Sequence, residues 1–279
     1  MLIDFHTHIF PEKIAAGTVQ FLSEKSKTIP YSDGTISGLL KNMQRAEINF
    51  SVILPVATKP SQVEKINNSA ALTNEKFFAQ GIISFASMHP DFENFRAELG
   101  RIKNFGFKGI KIHPVYQDTD LDSEKYLQIF YRAAELDLIV VTHSGLDIGF
   151  PGVVRCSPRM AKNVVEQVGE FKFVLAHMGG WKNWDEVLKI LAGKKFFLDT
   201  SFSTGKIPAQ KNFVGDKNLL GAEDFKKFVE VFGAEKILFG TDSPWTSVED
   251  SINFIKKIPL RDEDKLKILG KNAKILLNL

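Results

Sequence analysis

The chain has 279 residues, of which 36 are basic and 33 acidic, giving a formal charge of +3. Its 44% apolar and 25% charged residues describe an ordinary globular protein rather than a disordered one, and the lysines are spread through helical segments rather than gathered as a nucleic-acid face. One cysteine, Cys156, excludes an intrachain disulfide, and no apolar stretch reaches the ~18 residues of a membrane span. With no basic-then-apolar leader at the start, a cytoplasmic location is expected.

Short apolar runs with strand character alternate with helically spaced segments along the whole chain. The first strand centres near Asp4 and is followed by a helix over about 35–48. Strands near Ile53 and Ile83 precede helices at about 61–78 and 92–104. Strands near Ile110 and Val140 lead to helices at about 123–136 and 157–169, and strands near Val174 and Leu198 to helices at about 182–192 and 222–232. An eighth strand near Phe239 is followed by a helix at about 249–257 and a last one near 262–277. Several starts carry their own signals. Asp122 or Ser123 can cap the fourth helix, Pro158 suits the first turn of the fifth, and Ser247 opens the eighth with Asp250 three residues on.

Eight strand–helix units require parallel pairing with right-handed crossovers, which predicts a (β/α)8 barrel formed by residues 1–279 as a single domain. An open doubly wound sheet is the alternative, but the chain lacks a glycine-rich phosphate loop after its first strand. Three connections, 9–31, 144–157 and 201–221, are longer than a barrel needs. All three follow strand C-terminal ends, where barrel enzymes build their sites.

All six histidines stand at or beside the ends of strand runs: His6 and His8 in LIDFHTH, His89 in GIISFASMH, His113 in FKGIKIH, His143 in LIVVTH and His177 in KFVLAH. One further run, ILFGTD, ends in Asp242. Residues two apart in a strand share a face, so Asp4, His6 and His8 point the same way. An HxH pair at a strand end aims two imidazole nitrogens at one point, and histidines with a carboxylate are the ligands a borderline-soft divalent ion requires.

The motifs DFHTHIF, FKGIKIHP, VVTHSG, VLAHMGG and LFGTDSPW, in that order, resemble the amidohydrolase superfamily, and within it the amidohydrolase-2 branch of barrel hydrolases and non-oxidative decarboxylases. The resemblance implies one divalent metal per chain, zinc or else manganese, bound by His6, His8, His143 and Asp242. It implies Asp242 and His177 as catalytic groups: Asp242 moves a proton, and His177 orients water or stabilises an oxyanion. In binuclear members a carboxylated lysine or a glutamate on strand four bridges two metals. Lys111 and His177 are the residues here that would serve a second ion, and otherwise Lys111 is a pocket charge or an ion-pair partner.

His113 and His89 are candidates for substrate contact, His89 equally for a hydrogen bond to its own loop. Arg155 and Arg159 are candidates to grip a carboxylate through the planar guanidinium fork, with surface ion pairing as the alternative. Trp245 is a candidate to stack on a substrate ring, and Trp181 is expected to begin the sixth helix. The leading expectation is hydrolysis of an amide, lactone or ester bond, with decarboxylation of an aromatic or unsaturated acid as the alternative. A lean to hydrolysis rests on the polar groups of HPD and KIHP. A barrel nuclease and a non-catalytic metal-binding barrel complete the set. The expected partner is a small-molecule substrate, with no nucleic acid and no membrane, and a homodimer is compatible with the sequence.

Overall fold

The computed structural model describes residues 1–279. Its backbone gathers into two compact units, one formed by Met1–Ile53, Ile148–Phe150 and Asp199–Leu279, the other by Leu54–Asp147 and Pro151–Leu198.

In the first unit β1 (Ile3–Thr7) pairs in parallel with β2 (Phe50–Ile53), with Ile3 opposite Phe50 and Asp4 opposite Ser51. Thr7 then pairs with Ile53, so β1 covers three residue steps where β2 covers two, and the ladder bulges between Asp4 and Thr7. All five residues of β1 are buried, as in parallel sheets covered on both faces. On the other side of β1 the Phe5 amide donates to Phe239 O at 2.8 Å and the His8 amide to Ser243 O at 2.7 Å. These bonds bring the segment after β9 (Ile237–Leu238) alongside the histidine strand.

The expected loop 9–31 contains a helix, α1 (Glu12–Ser26). Its buried stripe is only Ala15, Val19 and Ser23, while Ile14 and Phe21 face outward, so the apolar spacing that announces a helix is blurred. Next comes α2 (Ile36–Arg45), where Thr35 Oγ1 accepts from the Gly38 amide as an N-cap. Later helices of this unit are α8 (Ala222–Phe232) and α9 (Val248–Lys257), the latter capped by Ser247 Oγ accepting from the Asp250 amide. The single helix expected over 262–277 is interrupted. It forms α10 (Asp262–Leu266) and α11 (Asn272–Leu277), and between them the Ile268 carbonyl turns aside to accept from the Phe239 amide at 3.0 Å.

In the second unit the third strand is broken at Phe85 into β3 (Ile82–Ser84) and β4 (Ala86–Ser87). A parallel ladder then runs from β4 through β5 (Gly109–Ile112), β6 (Ile139–Thr142) and β7 (Phe173–Leu175) to β8 (Phe197–Asp199). Ile110, Val140, Val174 and Leu198 are fully buried along it. The intervening helices are α3 (Val63–Phe77), α4 (Phe95–Asn104), α5 (Glu124–Glu135), α6 (Pro158–Val168) and α7 (Trp184–Ile190).

Pro158 opens α6 as expected, with Ser157 Oγ accepting from the Met160 amide. Ser123 occupies the N-cap position of α5, but its hydroxyl is buried without a partner and makes no cap, while Asp122 accepts instead from Asn163 Nδ2. Trp181 does not begin a helix. Its amide donates to Ser144 O at 2.8 Å, and α7 starts three residues later. Cys156 is buried, and burial pushes its thiol up to about 11.

Candidate active site

The first unit brings His6, His8 and Asp242 together. His6 Nε2 lies 3.2 Å from His8 Nε2 and 3.5 Å from Asp242 Oδ1, and His8 Nε2 is 3.1 Å from the same oxygen. Four ligands at zinc bond lengths of ~2.0–2.1 Å stand about 3.4 Å apart on a tetrahedron's edges, so this triangle has the dimensions of one face. Its chemistry agrees. His6 Nδ1 is 2.8 Å from Asp199 Oδ2, a carboxylate that can only accept, so the ring proton sits on Nδ1 and Nε2 presents a bare lone pair. A lone pair beside a carboxylate oxygen at this separation can share a cation, either a metal ion or a proton carried by His8 Nε2.

Local backbone delivers these groups. Gly240 passes so close to β1 that a Cβ there would stand 2.8 Å from His6 Cβ. Asp242 has φ +63°, a left-handed conformation that adds about 1–3 kcal/mol of strain and is held by its amide donating to His6 O and its carbonyl accepting from the Trp245 amide, both at 2.8 Å. Asp4, the parity-mate of His6, is wholly buried. Its carboxylate accepts from Thr241 Oγ1 at 2.6 Å, the Thr241 amide at 3.0 Å and the His6 amide at 3.2 Å. Burial outweighs these bonds and lifts its pKa to about 7.

The second unit gathers His113, His143 and His177, with Asp147. His143 Nε2 is 3.2 Å from Leu146 O and its Nδ1 is 3.0 Å from His177 Nε2. A carbonyl only accepts, so the network puts the His143 proton on Nε2 and leaves Nδ1 as its acceptor face. Burial, followed by the neighbouring His113, His177 and Lys111, holds the His143 pKa well below the usual value, which keeps the ring neutral. His113 stacks between Tyr116 and His143, with centroids at 3.8 and 4.2 Å, and its Nε2 lies 3.5 Å from Asp147 Oδ2. His177 itself has φ +58° and Met178 φ +53°, a second left-handed turn at a candidate catalytic position. Lys111 is buried on β5.

The remaining expectations meet particular partners. His89 is buried and its Nδ1 accepts from the Asp91 amide at 3.1 Å, the loop bond. Arg155 pairs with Asp118 and with Asp120 at 3.0 Å, and Arg159 lies 78% exposed beside Glu186. Both guanidinium groups therefore make the surface ion pairs that stood as the alternative to gripping a carboxylate. Trp245 is half-buried and follows the Asp242 turn.

Three residues escaped the sequence reading: Asp199, Asp147 and Gln117. Asp199 ends the run KKFFLD as Asp242 ends ILFGTD, so the same strand-end rule would have found it. Gln117 is buried, its amide donating to Ala57 O and Met88 O at 2.8 and 2.7 Å, its oxygen accepting from the His113 amide at 3.0 Å and Tyr126 OH at 2.5 Å. It ties Ala57 and the ends of β4 and β5 to α5.

A histidine–carboxylate triangle at strand ends is a donor set suited to a divalent metal ion. The amidohydrolase family model matches residues 3–279, and the chain belongs to that family, whose members are metal-dependent hydrolases and carboxy-lyases. Among curated proteins none matches. Among solved structures, a Tim-barrel protein from Bordetella bronchiseptica is 16% identical with a TM-score of 0.78, covering 99% of this chain and 98% of its own. A dihydroxybenzoic acid decarboxylase from Polaromonas sp., with bound manganese and the inhibitor 2-nitroresorcinol, is 16% identical at 0.70, over 100% and 97%. A probable 2-pyrone-4,6-dicarboxylic acid hydrolase from Acinetobacter baumannii, with citric acid bound, is 18% identical at 0.67, over 100% and 99%. The likeness shows the fold, a TIM barrel. No helix is long and apolar enough to cross a membrane.

Proposed function

We propose that this chain is a metal-dependent decarboxylase of an aromatic or unsaturated carboxylic acid. The observation that carries the metal is the triangle of His6 Nε2, His8 Nε2 and Asp242 Oδ1 with edges of 3.1–3.5 Å. The likeness to decarboxylases favours this reaction over hydrolysis, which had been the leading expectation. The polar segments that suggested hydrolysis are partly engaged elsewhere: the His89 ring accepts from its own loop, and His113 lies against Tyr116, His143 and Asp147.

His6, His8 and Asp242 would hold one divalent ion, manganese or zinc, with His143 as the further ligand that the family resemblance implies. When bound, that ion supplies positive charge to withdraw electron density from substrate oxygens. In decarboxylation the carbon–carboxylate bond breaks, its electron pair stays on carbon, CO2 departs and a proton takes its place. Asp242 and His177 are the proposed groups for holding and delivering that proton. Both sit on left-handed turns that fix where their side chains start.

The test is a panel. Protein stripped of metal and reloaded with manganese or zinc is incubated with hydroxybenzoates and unsaturated diacids while CO2 is measured, and in parallel with lactones, esters and amides. CO2 release that disappears in His6→Ala and Asp242→Ala is the expected result. Turnover of lactones or amides without CO2 would refute it and restore hydrolysis.

A further inference from the structure

His6 carries its metal-facing lone pair only if its proton stays on the opposite nitrogen, and the side chain that decides this is Asp199. Asp199 is fully buried, and its Oδ2 lies 2.8 Å from His6 Nδ1. Its other oxygen is claimed by Ser201, whose amide donates to Oδ1 at 3.1 Å and whose hydroxyl donates to the same atom. The carboxylate is thus held in one rotation, with Oδ2 always towards the imidazole. The ring has little room to answer by moving, because His6 is itself fully buried and Gly240 lies against its Cβ.

We propose that Asp199, locked by Ser201, is the positioning residue that sets the tautomer and orientation of His6 for metal binding. The role rests on the metal reading above. Carboxylates behind ligating histidines commonly change metal affinity by ~10–100-fold when removed.

The geometry makes an unusual prediction about the isosteric variant. In Asp199→Asn the two Ser201 donors keep the amide oxygen, so the amide NH2 is turned towards His6 Nδ1. Two donors cannot face each other, so Nδ1 must give up its proton and accept, and the proton moves to Nε2, where it blocks ligation. In Asp199→Ala no donor faces Nδ1, so part of the population keeps its proton there and leaves Nε2 able to bind a metal. The isosteric change should therefore harm metal binding more than the truncation does. A purely structural role predicts the reverse order.

Two measurements decide it. Manganese and zinc affinities come from chelator competition on wild type, Asp199→Asn and Asp199→Ala, with circular dichroism to establish that each is folded. The His6 tautomer in metal-free protein comes from imidazole 15N shifts. Expected are Nδ1–H in wild type, Nε2–H in Asp199→Asn, and metal affinity at least tenfold weaker in Asp199→Asn with Asp199→Ala between it and wild type. Wild-type affinity in Asp199→Asn, or an unchanged His6 tautomer, would overturn the assignment. If wild type takes up no metal at all, the metal reading fails, and the tautomer measurement still decides whether Asp199 positions His6.

Discussion

The Asp4 carboxyl should make the metal-free protein lose stability as the solution becomes more alkaline, and Asp4→Asn should remove that loss. The folded-state pKa is about 7 against an ordinary 3.8, raised chiefly because the group is wholly buried. A carboxyl whose pKa is raised by folding binds its proton more tightly in the folded chain. Its stabilising contribution is complete below about pH 3.8, declines as pH rises towards 7 and is gone above that. Roughly three pH units at 1.36 kcal/mol each give about 4 kcal/mol across the window. Asparagine has the same shape, can accept from the Thr241 and His6 amides, and has no proton to lose. Urea unfolding of both proteins in chelator, from pH 4 to pH 8, tests this. The stability of Asp4→Asn relative to wild type should rise by about 4 kcal/mol over that range, with the denaturant slope unchanged. A pH-independent difference would refute the reasoning, and so would a trend of opposite sign, which would mean the Thr241 bonds outweigh burial.

Gln117→Leu leaves two carbonyls, the His113 amide and the Tyr126 hydroxyl without their partner, and at about 1 kcal/mol each should destabilise by about 4 kcal/mol in urea unfolding. Gly145→Ala sets a Cβ 2.1 Å from the Trp181 amide nitrogen at a φ of +88°, so backbone must shift, and its unfolding midpoint should fall by several degrees in a thermal scan. Asp242→Asn should abolish turnover while circular dichroism shows the fold intact, since an amide neither carries the proton nor balances an ion's charge. His177→Asn should lower turnover but leave metal content, read by elemental analysis, as in wild type.

The strand-end histidines were legible because a parallel strand both announces itself as an apolar run and fixes where its last side chain stands. His6, His8 and Asp242 could therefore be singled out together, although Asp242 lies 234 positions after His8 in the chain. Asp199 obeys the same rule, but only the fold shows that its carboxylate stands behind His6. The α1 helix was missed for a different reason: its buried stripe is made of Ala15, Val19 and Ser23, and its large apolar residues Ile14 and Phe21 face water. For Arg155 and Arg159 both readings stayed open in the sequence, because it shows a guanidinium near a site without showing which carboxylate reaches it; in the structure Asp118, Asp120 and Glu186 do.

The sealed thiol of Cys156 gives experimenters an uncluttered background. With its side chain buried and its pKa near 11, it offers almost no thiolate to alkylating reagents at neutral pH. A reporter cysteine placed on any exposed loop should take a spin or fluorescent label alone, without first mutating the native one.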